Sequence, residues 1–153
     1  MANRRDLFVD AFEGELTITL AGNYLDGGML AMELKGFPGE AVELPRKQYA
    51  ALAILAQFAQ LAQPVSVASY LKADKLAEAL HQHQVLELAD QQTVIQLVRR
   101  IRHRLNRSMT AAQLVKSGRL TDSSEFGYAV VRRSKVLGYQ IGLAPENVRL
   151  RAA

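Results

Sequence analysis

The chain contains no cysteine, which excludes disulfide bridges, a thiolate-bound zinc and a cysteine nucleophile. No apolar run approaches the roughly 20 residues that a membrane-spanning helix requires, so no membrane partner is expected. Met1-Ala2-Asn3-Arg4-Arg5-Asp6 leads into no signal-peptide core, and the expected location is the cytoplasm. Enzyme templates are missing as well: there is no Gly-x-Ser-x-Gly, no P-loop and no His-Glu-x-x-His. Gly127, Gly138 and Gly142 follow no dinucleotide fingerprint, and no spacing of Ser, Asp and His marks a catalytic triad. Neither catalysis nor a cofactor is expected. His81 and His83 are the one pair that suggests a metal. Two residues apart on a helix they point to different faces, and no thiol supports them. They read as exposed polar side chains, with no metal.

What is present is enough for one core. The 153 residues are 49% hydrophobic and 22% charged, the balance of an ordinary folded domain, alone or with a small appendage, rather than a disordered chain. Charge is divided unevenly along that length. Residues 1–96 carry 7 Lys and Arg against 12 Asp and Glu, whereas residues 97–153 carry 12 against 3. Such asymmetry suggests an anionic partner for the second part, nucleic acid or an acidic membrane surface. A solvated basic face with no partner fits the same count.

The first forty-odd residues read as short strands: 7–9, 15–20, 29–34 and 41–44, with turn signals at Asp26-Gly27-Gly28 and Gly36-Phe37-Pro38-Gly39. The alternation Glu15-Leu16-Thr17-Ile18-Thr19-Leu20 is that of a half-buried strand. Pro45 opens a helix that runs to about residue 62, with Tyr49, Leu52, Ala53, Ala56 and Ala59 at helical spacing and Leu55, Phe58 and Leu61 widening the stripe. Ser66 can cap a short helix through Leu71, and Asp74 another carrying Leu76, Ala77 and Leu80. Residues 108–126 read as a loop with one helical turn near 111–116. Residues 128–133 and 139–143 read as a closing hairpin, and the tail from Pro145 as mobile. The order of strands, helices and hairpin makes an α+β chain and disfavours a doubly wound parallel sheet.

The clearest helical signal spans residues 92–107. At about 100° per residue, Val94, Val98, Ile101 and Leu105 form one stripe with Leu97 at its edge. Opposite lie Gln92, Gln96, Arg99, Arg100, His103 and Arg107, with Arg102 and Arg104 flanking the stripe. None of Arg99, Arg100, Arg102 or Arg104 has an acidic neighbour three or four residues away within the helix. Arginine can donate two bonds to guanine and glutamine can pair with adenine in a major groove, and spare cations offset phosphate charge. The same arginines could instead pair with acids of the first half. Arg132, Arg133 and Lys135 add a second cationic element at the hairpin tip, suited to a minor groove or phosphate backbone. A basic tip also serves simply to discourage strand aggregation.

Gln92-Thr93-Val94-Ile95-Gln96-Leu97-Val98-Arg99-Arg100-Ile101-Arg102-His103-Arg104-Leu105 resembles the recognition helix of OmpR/PhoB-type winged-helix DNA-binding domains. Val131-Arg132-Arg133-Ser134-Lys135-Val136-Leu137-Gly138-Tyr139-Gln140-Ile141 looks like the wing of that family, and Val42-Glu43-Leu44 with residues 45–55 is similar to its strand and first helix. The likeness covers roughly residues 15–143. It implies a winged helix-turn-helix: residues 1–44 as N-terminal antiparallel strands packed on the same domain, 45–143 as three-helix core and wing, 144–153 as tail. It further implies a bacterial transcriptional regulator binding double-stranded DNA. Thr93, Gln96, Arg99, Arg100 and His103 would face bases or phosphates, Arg102, Arg104 and Arg107 phosphates, and Arg132, Arg133 and Lys135 the backbone and minor groove beside the wing. Gln48 departs from the family's usual Glu, Leu97 from a polar residue, and Val136 from the first wing glycine. With no receiver domain ahead of it, the chain is expected to be a fragment or a stand-alone regulator governed by abundance or a protein partner. A head-to-tail homodimer on direct repeats is implied by the resemblance alone. A second reading, a winged-helix protein–protein adaptor, suits the acidic first half and the alanine-rich helix.

Overall fold

Alternating side chains place β1 (Leu16–Asn23), β2 (Gly27–Leu34) and β3 (Glu40–Leu44) in an antiparallel meander. Leu16, Ile18 and Leu20 of β1 face inward opposite Leu34, Met32 and Leu30 of β2, and all six are buried. Each such side chain contributes about 1.5–3 kcal/mol relative to exposure. The computed structural model, which describes residues 9–61 and 70–152, is mixed α+β: five helices, a four-stranded sheet and a two-stranded hairpin. Residues 7 and 8 of the expected first strand, and the start of the helix expected from Ser66, lie outside the described residues. Val9 is exposed.

The fourth strand of the sheet is a correction. The tail expected to be mobile forms a turn of 3-10 helix at Pro145–Asn147 and then β6 (Val148–Ala152), which pairs parallel to β1 with Ile18 opposite Val148 and Leu20 opposite Leu150. Sheet order is therefore β3-β2-β1-β6. A five-residue strand whose partner lies some 130 residues away leaves little local signal, because parallel pairing needs a long crossover rather than a turn. Asn147 pins that crossover, its Nδ2 donating to the Gly14 carbonyl at 3.0 Å and to Thr17 Oγ1 at 3.1 Å.

Helix α1 (Arg46–Leu61) follows Pro45, whose carbonyl accepts from the Tyr49 amide at 2.9 Å. Ten of its residues are buried, among them Tyr49, Leu52, Leu55 and Ala56. It lies between the sheet on one side and α2 (Ala73–Gln82) and α3 (Gln91–Asn106) on the other. Two further helices replace the expected loop: α4 (Met109–Lys116) and α5 (Ser124–Val130). The N-terminus of α4 is capped by Ser108 Oγ, and by Glu40, whose carboxylate accepts from the Met109 and Thr110 amides at 2.8 and 2.9 Å. That acid comes from β3, some 70 residues upstream, so the capping is invisible locally. Tyr128-Ala129-Val130 reads as strand by composition, yet tertiary packing makes it helical. Gly127 lies so close to α3 that an added Cβ would stand 2.7 Å from the Arg102 carbonyl oxygen, and Phe126 is fully buried.

Between α5 and β6 the chain forms the hairpin β4 (Val131–Ser134) and β5 (Gly138–Ile141). Leu71 docks on its outer side, exchanging two backbone hydrogen bonds of 2.8 Å with Tyr139. This contact requires glycine at position 138. Its φ is +104°, and a Cβ there would lie 2.2 Å from the Leu71 carbonyl oxygen.

Candidate nucleic-acid interface

Helix α3 starts at Asp90, whose carboxylate accepts from the Gln92 amide and from Thr93 Oγ1, both at 3.0 Å. Thr93 is thus half-buried with its hydroxyl engaged in the cap. Val94, Leu97, Val98, Ile101 and Leu105 are buried, which accounts for the apolar residue at Leu97. The core thereby fixes which way the opposite face points.

On that opposite face Gln92, Gln96, Arg99, Arg100, His103 and Arg107 are exposed. Among the described residues, none of the side chains of Arg99, Arg100, His103 and Arg107 forms a hydrogen bond or ion pair. The ion pairs there are Lys75 with Glu78 and Arg119 with Glu15, both away from α3. Arg99, Arg100, His103, Arg104 and Arg107 line a groove of about 750 Å³ together with Glu40 and Val42 of the edge strand β3, Gln48 of α1 and Ser108. The one carboxylate in this groove, Glu40, is already engaged at the start of α4. Uncompensated guanidinium groups in a shared depression raise the local positive potential and favour an anion.

A second depression, of about 350 Å³, lies between α3 and the hairpin. Gln91 and Ile95 of α3, Lys72 and Asp74 at the start of α2, and Arg133, Lys135 and Tyr139 of the hairpin line it. Gln91, Ile95, Arg99, His103 and Arg107 form a single row at every fourth residue, each step turning only about 40° around the axis. One ridge therefore runs from the hairpin cleft into the arginine-lined groove. Arg133 and Lys135 are exposed, so the hairpin cations and the free cations of α3 flank the same ridge.

Three of the expected contact residues are engaged by the protein itself, and one of them, Arg102, is buried. Arg102 is only 7% exposed, and its Nε and Nη2 both donate to the Val131 carbonyl, at 3.1 and 2.7 Å. Its guanidinium lies 4.2 Å from the centre of the Tyr128 ring. Burial draws its pKa below the ordinary arginine value, while Tyr128 and Tyr139 push it back up and Arg133 draws it down further. Arg104 is half-buried: Nε donates to Gln48 Oε1 at 3.1 Å and Nη1 to the Glu43 carbonyl at 3.3 Å. Arg132 is half-buried too, and Nη2 donates to the Val9 carbonyl. These cations are held by the protein's own backbone and amides rather than held out for phosphates. Their partners lie 29, 56 and 123 residues away, beyond the reach of any local pattern. Glu40, Gln48 and Tyr128 shape the site without having been among the residues expected in it.

His81 and His83 are exposed, His81 Nδ1 lying 3.1 Å from the Leu86 carbonyl and the His83 ring 4.4 Å from that of Tyr24. Among the described residues no group of three or more His, Asp or Glu could hold a metal ion, and no helix is long and apolar enough to cross a membrane. No known protein family, curated protein or solved structure matches this chain.

Proposed function

We propose that this protein binds double-stranded DNA in a sequence-specific way and acts as a transcriptional regulator, without catalysis, in the cytoplasm. In this reading the fold is a winged helix-turn-helix of OmpR/PhoB type, with α3 in the major groove and the hairpin tip at the adjacent minor groove. One observation carries it: Arg99, Arg100, His103 and Arg107 are exposed on a helix anchored by its other face, and their side chains make no ion pair or hydrogen bond among the described residues. The hairpin cations Arg133 and Lys135 stand along the same ridge. Arg99, Arg100, His103 and Gln96 contact base edges, and Arg107 meets phosphate.

Selection of bound fragments from random duplex DNA tests the proposal and reveals any repeat spacing, hence any dimer on direct repeats. The expected result is an enriched motif whose affinity falls on the order of a thousandfold between about 50 and 200 mM salt, as six to eight phosphate contacts require. Absence of enrichment at low salt overturns the reading. The adaptor alternative is favoured if a protein partner binds instead with little dependence on salt.

A further inference from the structure

We propose that Arg102 is a positioning residue that sets the hairpin beside α3, so that Arg133 and Lys135 reach the ligand engaged by Arg99, Arg100 and His103. The inference rests on the DNA-binding reading for its ligand, although the strut itself is a property of the free chain. Arg102 is shielded from solvent, so it is itself badly placed to meet a phosphate. It connects three elements that follow one another in the chain. Its guanidinium covers the Tyr128 ring on α5, two of its nitrogens donate to Val131 at the head of β4, and its distance to the Tyr139 ring on β5 is 5.9 Å.

The hairpin needs such a tie because each of its outer edges carries backbone groups that its partner strand cannot use. The Gly142 amide donates to the Val130 carbonyl, so in the antiparallel alternation the next residue, Val131, turns its carbonyl away from β5. On the β5 edge, Tyr139 likewise turns outward and is satisfied by Leu71. On the β4 edge the corresponding group is the Val131 carbonyl, and Arg102 satisfies it. Leu71 ties the hairpin to the segment entering α2, and Arg102 ties it to α3. Release of the second tie loosens the side of the hairpin that faces α3, while Leu71, the Arg132–Val9 contact and the buried Ile141 still hold the rest.

Arginine is needed for this task. A planar fork can offer two nitrogens to one carbonyl and lie flat on an aromatic ring, whereas an ammonium offers a point charge that does neither. A buried strut also has a signature different from that of a phosphate contact. Its loss removes the contribution of the hairpin cations, counterion release included, so that further loss of those cations adds little, whereas loss of an independent phosphate contact would add to theirs in full.

The experiment uses the full chain as wild type, R102M, R102K, K135A and the pairwise combinations with K135A. Each is titrated with the duplex selected by wild type at several salt concentrations, and hydrogen exchange is followed without DNA. R102M is expected to weaken binding about tenfold and to lower the salt slope by no more than the hairpin cations contribute, and R102K to fall between wild type and R102M. K135A should cost about fivefold in wild type but less than twofold beside R102M. Hydrogen exchange should quicken at residues 132–134 and 138–141 in R102M while the middle of α3 keeps its protection. An equal cost of K135A in both backgrounds overturns the proposal, as does a salt slope that K135A lowers as much beside R102M as in wild type. Full activity of R102K overturns it too. If R102M does not fold, R102K with and without K135A carries the same cycle. If wild type binds no duplex, the DNA reading fails, and the strut then stands or falls on the hairpin exchange rates alone.

Discussion

Arg99 and Arg102 stand three residues apart on one helix, about 60° apart around its axis, and meet opposite surroundings. Arg99 is exposed beside a groove and makes no hydrogen bond or ion pair among the described residues, while Arg102 is buried against Val131 and Tyr128. Arg100 and Arg104 repeat the contrast on the other flank, where Gln48 and the Glu43 carbonyl hold Arg104. The exposed arc of α3 is thus bounded on each side by an arginine used to fasten a neighbour: β3 and α1 on one side, α5 and the hairpin on the other. Availability of a guanidinium is decided by what packs at its angular position. Residue type and helical phase alone leave it open.

The contrast can be broken by exchanging roles. Replacement of Arg99 and Arg100 together by alanine should weaken specific binding by about 2–4 kcal/mol and relax sequence preference, with the midpoint of thermal unfolding unmoved. Equal loss of folding stability in that variant would show that these side chains do structural work after all. Gly127→Ala addresses the packed flank, since its Cβ would stand 2.7 Å from the Arg102 carbonyl oxygen and backbone cannot yield cheaply. It should cost about 1–3 kcal/mol of stability by urea unfolding. Arg104→Ala leaves Gln48 without its partner and should destabilise by about 1 kcal/mol, with the salt dependence of DNA binding unchanged. A salt slope reduced in Arg104→Ala would move Arg104 from the tethered set to the free one. The smallest expected effect is that of Lys135→Ala, which should weaken binding evenly across sequences and lower the salt slope by about one. An altered sequence preference in that variant would instead put the hairpin tip in contact with bases.

Much of the local architecture is legible in the residues. Leu16, Ile18 and Leu20 alternate and make a strand; Val94, Val98, Ile101 and Leu105 recur at helical spacing and make a helix buried on that side. The polar arc that carries Arg99, Arg100, His103 and Arg107 follows from the same wheel. The rest depended on partners remote in sequence. β6 exists because β1 offered an open edge, α4 begins where Glu40 of β3 caps it, and residues 128–130 are helical because Gly127 lets α5 rest on α3.

Periodicity in the chain determined which face of α3 is apolar and which is cationic, because hydrophobic burial depends on side-chain spacing within a single element. Only the tertiary structure decided which of those cations stay open to a ligand. A hydrogen bond to a carbonyl many residues away is a matter of distance in space, and spacing along the chain carries no record of it.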